Sequence, residues 1–252
     1  FAAVRPSDGA LLSWAPDAQD GQGRAILLSP DGSKVALGGS FTTLNGSSNP
    51  GYGLALVDSD TGASLPTPAN SVIRNAGPNA AVLSLASGGN LEGVTRISWD
   101  TGGIIWIADC HGDTYSVHPM GDVLYAASHS HYCGNLPGGW PQTTPWTMHW
   151  GNAFSKSVVS TLTGPDPYGY ASYTGQPAPN LLKWEPQFTS GTFTGQNQAA
   201  WSVSGNSDYL VYGGEFLRTG PSGTTQQGLV RFARRELAPN KMGSVLSCSY
   251  IK

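Results

Sequence analysis

Two short segments of the chain concentrate the side chains that could carry out chemistry. Residues 106–115 read Trp-Ile-Ala-Asp-Cys-His-Gly-Asp-Thr-Tyr, and residues 129–134 read His-Ser-His-Tyr-Cys-Gly. Together they hold two of the three cysteines and three of the five histidines, in a chain of which only 12% of residues are charged. Such side chains form disulfides, bind metal ions and transfer protons. The two segments are therefore the first candidates for a functional site.

Each segment ends an apolar run that is typical of a β-strand, so we expect both segments at strand ends. If the two strands are neighbours, Cys110 can meet Cys133. A disulfide between them would stabilise the fold by about 3 kcal/mol, chiefly by restricting the unfolded chain. Metal ligation by the two cysteines and a pair of free thiols are the alternatives. Cys248 has no evident partner and is expected to be a buried thiol.

The histidines suggest a metal site or a polar cluster. His129 and His131, two positions apart, point to the same face of a continuous strand. Both could ligate a transition metal, together with His111 and with Asp109 or Asp113. Histidine ligands favour zinc over calcium, and no other cofactor is expected. The alternatives are a hydrogen-bonded polar cluster, in which an aspartate fixes each imidazole tautomer, and a catalytic site.

The composition indicates a rigid β protein. Of 252 residues, 34 are glycine, 18 proline, 8 tryptophan and 10 tyrosine, so turn formers and aromatic residues are abundant. The net charge of −3 gives no reason to expect nucleic acid as a partner. A stretch of about 20 apolar residues, which a membrane-spanning helix would need, is absent from the sequence.

The chain repeats a structural unit. The motif Gly-Gly-x-Phe stands at 38–41 and at 213–216, each time after two strand-like runs joined by a polar turn. A degenerate copy begins at Tyr115 and places residues 129–131 where the other copies carry this motif. Units of about 40–50 residues with several short strands are typical of propeller blades. We therefore predict an all-β fold, a β-propeller of four-stranded antiparallel blades with about four readable units.

We expect a single propeller domain over residues 1–252, or a fragment of a larger ring. The strand-like start at Phe1 is interpreted as the processed or excised edge of a longer chain. Long loop insertions are expected at 134–150 and 163–195, where function often resides. Their aromatic side chains form a candidate binding surface, or alternatively pack the loops onto the scaffold. The six residues are Trp140, Trp146, Trp150, Tyr168, Tyr170 and Tyr173.

Several segments resemble one family. These are Gly-Gly-Ser-Phe-Thr-Thr-Leu-Asn-Gly (38–46), Leu-Glu-Gly-Val (91–94), the segment 106–115, His-Ser-His-Tyr-Cys-Gly-Asn (129–135), Thr-Gly-Gln-Asn-Gln-Ala-Ala-Trp (194–201) and Gln-Gly-Leu-Val-Arg-Phe-Ala (227–233). They resemble β-propeller domains of secreted actinobacterial proteins and of minor tail proteins from phages that infect actinobacteria. The resemblance implies a propeller fold and a virion or cell-surface setting. It implies no reaction and no catalytic residue.

These observations favour a non-enzymatic scaffold and binding module. The first hypothesis is a phage minor tail protein that contributes to tail-tip structure and host-surface recognition. Its partners would be other tail or cell-surface proteins and host cell-wall glycan, with neither nucleic acid nor a membrane span involved. A secreted actinobacterial propeller that binds carbohydrate or protein is the second hypothesis. The third is a metal-dependent hydrolase that uses His111, His129 and His131. The expected location is accordingly a virion tail or the extracellular space.

Overall fold

The chain folds into antiparallel β-sheets. The computed structural model describes residues 1–48, 53–73, 82, 89–91, 93–220 and 223–238. Within these ranges, helix is confined to α1 (Asn70–Ile73) and one 3-10 helix (Arg235–Leu237). The predicted all-β, antiparallel class is confirmed, and the propeller arrangement stays a prediction. Cys248 lies outside the described residues.

Two compact units make up the chain. The first comprises Phe1–Leu91, Thr95–Ile105 and Gly169–Ala171. The second comprises Glu92–Val94, Trp106–Tyr168 and Ser172–Lys252. A single propeller domain over residues 1–252 remains a prediction, which the division into two compact units does not test.

The first unit is built around one four-stranded sheet. Its early strands are β1 (Ala18–Gln19), β2 (Gly23–Leu28), β3 (Lys34–Gly39), β4 (Thr43–Leu44), β5 (Leu54–Asp58) and β6 (Ser64–Leu65). The sheet has the order β2-β3-β5-β6, and β1 pairs with β4. The two central strands, β3 and β5, are apolar and almost wholly buried, as expected for strands covered on both faces. Trp14, Leu37, Phe41 and Leu44 are part of the buried core beside them.

A three-stranded sheet precedes the first reactive segment. Its strands are β7 (Gly89–Leu91), β8 (Gly93–Ile97) and β9 (Ile104–Ala108), in that order. Strand β9 ends at Ala108, so Asp109, Cys110 and His111 of this segment follow a strand end, as predicted.

The second unit contains the remaining strands. They are β10 (Thr114–Met120), β11 (Val123–Ser130), β12 (His149–Ser155), β13 (Ser160–Thr161), β14 (Pro177–Ala178), β15 (Phe188–Thr189), β16 (Ala200–Gly205), β17 (Tyr209–Gly214), β18 (Arg218–Thr219), β19 (Thr224–Thr225) and β20 (Leu229–Ala233). They form the sheets β10-β11-β12, β13-β14, β15-β18-β19 and β16-β17-β20. The loop between β11 and β12 corresponds to the first predicted insertion, and the second insertion contains β14 and β15. Tyr125, Trp184, Phe188, Tyr212 and Phe216 belong to the buried core.

The two Gly-Gly-x-Phe copies have the same backbone hydrogen bonds. The Gly39 amide donates to the Gly53 carbonyl (3.0 Å), and the Gly53 amide donates to the Phe41 carbonyl (2.7 Å). In the later copy, the Gly214 amide donates to Gly228 (2.9 Å), whose amide donates to Phe216 (3.0 Å). Each phenylalanine is buried in the core of its unit. The sequence repeat is therefore a repeated structure, which we call the glycine corner.

The degenerate copy is aligned differently from the prediction. The amide of Ser40 donates to Gln22 (2.9 Å) and that of Glu215 donates to Ala199 (2.8 Å). The matching bond in the third copy runs from His129 to Asp113 (3.0 Å). His129 therefore occupies the x position, and the next residue in the chain takes the place of the phenylalanine.

This shift follows from strand pairing. Each first strand carries a register shift near its start, between Gly23 and Ala25, between Thr114 and Ser116, and between Ala200 and Ser202. Because the bulge recurs at the same place, the three hairpins are aligned by their hydrogen-bond register and not by the Gly-Gly-x-Phe sequence. Residues 127–130, and not 129–131, form the third corner, which we call the serine corner.

Candidate functional site

A disulfide joins the two reactive segments. The sulfur atoms of Cys110 and Cys133 are 2.00 Å apart, and the two Cα atoms are 4.4 Å apart. The predicted disulfide is confirmed, so neither cysteine is a free thiol. Beside it, the His111 amide donates to the Tyr132 carbonyl (2.9 Å) and the His131 amide donates to the His111 carbonyl (2.9 Å). The covalent link and this short bridge together fix the position of His111.

The side chains of two aspartates and one histidine meet next to the disulfide. Nε2 of His111 lies 2.7 Å from Oδ2 of Asp166, and the two side chains are only 0% and 1% exposed. One donor atom each from Asp109, His111 and Asp166 lies within 4.8 Å of the other two. Asn135 donates from Nδ2 to Oδ2 of Asp109 (2.8 Å). We call Asp109, His111 and Asp166 the buried triad.

Aromatic rings line the triad. The Tyr132 ring lies 4.6 Å from the His111 ring, and the Tyr168 ring meets both of them edge-on, at 5.1 and 6.0 Å between centroids. Burial lowers the pKa of His111, although the nearby Asp166 carboxylate acts in the opposite direction. Burial and the same carboxylate raise the pKa of Tyr132. The surroundings therefore favour a neutral imidazole and a neutral phenol.

His129 belongs to a different set of contacts. The Asp113 amide donates to its Nε2 (3.3 Å), and its Nδ1 lies 2.5 Å from the Tyr115 hydroxyl oxygen. Since Nε2 accepts, a neutral His129 carries its proton on Nδ1 and donates it to the tyrosine. Burial lowers the pKa of His129, which favours this neutral form. With both ring nitrogens hydrogen-bonded, His129 fits the polar-cluster interpretation better than a role as metal ligand.

The residues equivalent to His129 in the two glycine corners have the same structural role. At the x position of the first glycine corner, Oγ of Ser40 accepts from the Gln22 amide (3.1 Å). At the second, the Glu215 carboxylate accepts from the Gln198 amide (3.1 Å). All three side chains thus bind the backbone of the segment that leads into the first strand of the hairpin. This repeated role explains the orientation of His129 without any ligand.

His131 supports the first insertion. Its Nδ1 lies 2.8 Å from Oε1 of Gln142, and its ring stacks on the Trp146 indole at 4.1 Å, with 11° between the planes. The His111 ring lies 6.0 Å away. Burial lowers the pKa of His131, while the hydrogen bond with Gln142 opposes that shift. Of the five predicted metal-site residues, only His111 and Asp109 belong to the buried triad; His129, His131 and Asp113 make the other contacts described.

A second stack connects the middle of the insertion with its end. The Trp140 and His149 rings stack at 3.8 Å, and Nδ1 of His149 lies 2.7 Å from Oε1 of Glu185. Trp150 is partly buried and packs against the core of the second unit. The insertion 134–150 is therefore held by stacked rings on both sides.

The six predicted surface aromatics divide into two groups. Large exposed areas remain on three of them, namely Trp146, Tyr168 and Tyr170. Trp140, Trp150 and Tyr173 are half-buried, as the packing alternative anticipated. Tyr170 lies in Gly169–Ala171, which belongs to the first unit, whereas the other five residues belong to the second.

Sequence reasoning missed Asp166, Asn135 and Gln142. Asp166 lies between Pro165 and Pro167, in the loop after β13, and is distant in sequence from both reactive segments. The flanking prolines could have marked Asp166 as a site residue, because their two fixed φ angles hold the aspartate rigidly. Asn135 and Gln142 follow the second segment closely, but neither residue type marks a site by itself.

Comparisons with known proteins leave the family open. No protein-family model matches the chain, and neither curated proteins nor solved structures yield a significant match. None of the helices in the described ranges has the length and apolar character that crossing a membrane requires. The resemblance to actinobacterial and phage propeller domains therefore stays a prediction, and function has to be argued from the site.

Proposed function

We propose that this chain is a non-enzymatic recognition module with a β-propeller scaffold, in a phage tail or a secreted surface protein. In this proposal the insertion 134–150 binds the target, and the disulfide with its polar cluster supports that insertion. The repeated glycine corners support the propeller interpretation. The buried Cys110–Cys133 disulfide suits an extracellular or virion setting, where disulfides persist.

The Trp146 indole is the observation on which the proposal rests. One of its faces stacks on the His131 ring, and yet the residue remains 50% exposed. Large apolar side chains on a protein surface often mark binding sites when they are held rigidly. Because the stack and the Gln142 contact already fix the platform, little conformational freedom is lost when a ligand binds.

The turn that carries Trp146 is fixed by hydroxyl groups. Oγ1 of Thr143 accepts from the Thr147 amide (2.9 Å) and donates to the Pro145 carbonyl (2.7 Å). It also lies 2.9 Å from Oγ1 of Thr147. The exposed indole face held by this turn matches a sugar ring, which offers C–H groups to an aromatic face. We therefore propose carbohydrate of a cell surface as the ligand class.

The structural contacts of His129 and His131 favour a binding function over a catalytic one. The His129 nitrogens are engaged with Asp113 and Tyr115, and His131 lies between Gln142 and Trp146. A general base must reach the proton that it abstracts, and such hydrogen bonds and stacking compete with that role.

Binding to host cell-wall fragments and to a glycan array tests the proposal. We expect Trp146→Ala to weaken binding about tenfold or more, as is usual for a central aromatic anchor. Phe193→Ala is the matched control, because Phe193 is 94% exposed and lies outside the insertion 134–150. Equal binding by the wild type and Trp146→Ala would contradict the proposed surface, and no binding by the wild type would contradict carbohydrate recognition.

The setting is tested separately by mass spectrometry of purified virions and of culture supernatants. A fixed number of copies per virion supports the tail protein. Presence only in the supernatant supports the secreted alternative instead.

A further inference from the structure

The buried triad has the composition of a metal site. We propose that Asp109, His111 and Asp166 bind one divalent transition-metal ion, with Zn²⁺ as the best match. Asp166 is not part of either reactive segment, and the proposed site excludes His129, His131 and Asp113. The inference is independent of the carbohydrate proposal, because it concerns different side chains.

The donor atoms are spaced for a single ion. One donor from each residue lies within 4.8 Å of the others, and Nε2 of His111 is 2.7 Å from Oδ2 of Asp166. Ligands bound at about 2.0–2.2 Å from zinc lie at most about 4.4 Å from each other. Small side-chain rotations therefore bring all three donors to bonding distance.

Charge and burial favour a cation at this position. Asp109 is buried, and the side chains of His111 and Asp166 are almost wholly shielded from solvent. Removing carboxylates from water is costly unless they are paired or bind a metal. A divalent ion would balance the charge of the two carboxylates.

Asn135 supplies a second, independent observation. It is 7% exposed and its Nδ2 holds Oδ2 of Asp109, as expected for a residue that orients a ligating carboxylate. Oδ1 of the same amide is buried and has no hydrogen-bond partner among the described residues. The amide that holds Asp109 thus keeps an acceptor for a bound water or a further ligand atom for an ion. An unsatisfied buried acceptor on the residue that holds Asp109 points to an electropositive ligand.

The surrounding structure preorganises the ligands. Asp109 and His111 flank Cys110, so the disulfide restrains two ligands at once. Pro165 and Pro167 restrict the backbone on both sides of Asp166. The Tyr132 and Tyr168 rings pack around His111 and limit access of water. Metal sites bind tightly when their ligands are held near the bound geometry in this way.

The donor set favours a transition metal over calcium. Calcium takes six to eight oxygen ligands, whereas an imidazole nitrogen suits zinc and its neighbours in the transition series. Zinc in structural sites is four-coordinate, so the three side chains would leave one position, which the Asn135 oxygen or a water molecule could fill. Manganese is the nearest competitor, since carboxylates and imidazole also suit that ion.

Calorimetric titration of untagged, EDTA-treated protein tests the site. We expect one Zn²⁺ per chain with micromolar or tighter affinity, weaker binding of Mn²⁺, and no binding of Ca²⁺ at the same concentrations. Asp166→Asn should weaken Zn²⁺ binding at least tenfold, because an amide is a poor substitute for an anionic ligand. Asp122→Asn, the same change on an exposed turn, should leave the affinity unchanged.

Thermal unfolding and X-ray absorption complete the test. Zinc should raise the Tm of the wild type by several degrees and leave that of Asp166→Asn almost unchanged, while both proteins have similar Tm values in EDTA. The zinc absorption edge should report only nitrogen and oxygen neighbours, including an imidazole. No binding of Zn²⁺ or Mn²⁺ by the wild type, or equal affinity of Asp166→Asn, would overturn the site. The carbohydrate assay, performed in EDTA, distinguishes this failure from failure of the proposed function.

Discussion

The glycine corner at Phe216 and the serine corner at Ser130 share one backbone frame but are filled in opposite ways. In the glycine corner, the phenylalanine stacks on Phe188 at 4.5 Å and is fully buried. In the serine corner, the equivalent residue is Ser130, also buried, with a hydroxyl 3.0 Å from Nδ2 of Asn152. A large apolar side chain has been replaced by a small polar one at the same position in the hairpin.

The difference shows how one repeat can be adapted for a new role. An apolar corner is stabilised by burial of its phenylalanine. The serine corner lacks that contribution, and the adjacent chain instead carries the Cys110–Cys133 disulfide and the hydrogen bonds of Asn152. This cross-linked arrangement accommodates the insertion 134–150 and the buried triad.

The largest expected effect concerns the apolar corner. Phe216→Ala leaves a cavity in a closely packed core and should lower the free energy of unfolding by about 3–5 kcal/mol. Phe193→Ala, at an exposed phenylalanine, should change it by less than about 0.5 kcal/mol. Urea denaturation measures both values. A loss below about 1 kcal/mol for Phe216→Ala would contradict the proposed role of the phenylalanine.

Removal of the disulfide should have the next largest effect. The double variant Cys110→Ala/Cys133→Ala should lose about 3 kcal/mol, because the loop between the cysteines is free in its unfolded state. Urea denaturation with and without a reducing agent checks this value. Reduction should destabilise the wild type to a similar extent and leave the double variant unaffected. If reduction shifts both proteins equally, the stabilisation comes from elsewhere.

The polar network of the serine corner should contribute less. Nδ2 of Asn152 donates to the hydroxyls of Ser128 (2.9 Å) and Ser130 (3.0 Å), and all three residues are buried. Asn152→Ala removes both bonds and should cost about 1–3 kcal/mol in urea denaturation. Ser204→Ala, at an exposed strand position, is the control and should be nearly neutral. An Asn152→Ala variant as stable as wild type would show that the serine corner does not depend on these bonds.

The smallest effect is a dependence on pH. The pKa of His129 is lowered by burial, so the folded state favours the neutral ring. As pH falls below about 6.5, the unfolded chain takes up a proton that folded His129 does not, and stability declines until the lowered folded pKa is passed. The loss is at most about 1.4 kcal/mol per pH unit for each such histidine.

Urea midpoints between pH 7.5 and pH 5, measured in EDTA, test this dependence. The wild type should lose stability on acidification, and His129→Gln should show a shallower decline. His111, His118 and His131 should account for the remaining decline, since burial lowers the pKa of each of them as well. A pH profile of His129→Gln identical to that of the wild type would contradict the neutral buried imidazole.

Sequence reasoning succeeded where local pattern and strand ends decide the outcome. The alternation of short apolar runs and turns predicted the antiparallel β class, and two cysteines at strand ends predicted the disulfide. The common face expected for His129 and His131 required a strand that continues through both residues, and β11 ends at Ser130. The pairing of β11 with β12 shifts between Ala127 and Ser130, and the His129 and His131 rings have different partners.

The sequence by itself determined the strand-rich composition, the two matching glycine corners, and the crowding of cysteine and histidine into two segments. Only the tertiary structure decided which of these side chains meet. The loop after β13 brings Asp166 to His111, 55 positions earlier in the chain, whereas His129 contacts Asp113 and Tyr115 instead. Residue type and spacing fix local preferences, whereas contacts between distant segments depend on register and loop closure, which no short pattern encodes.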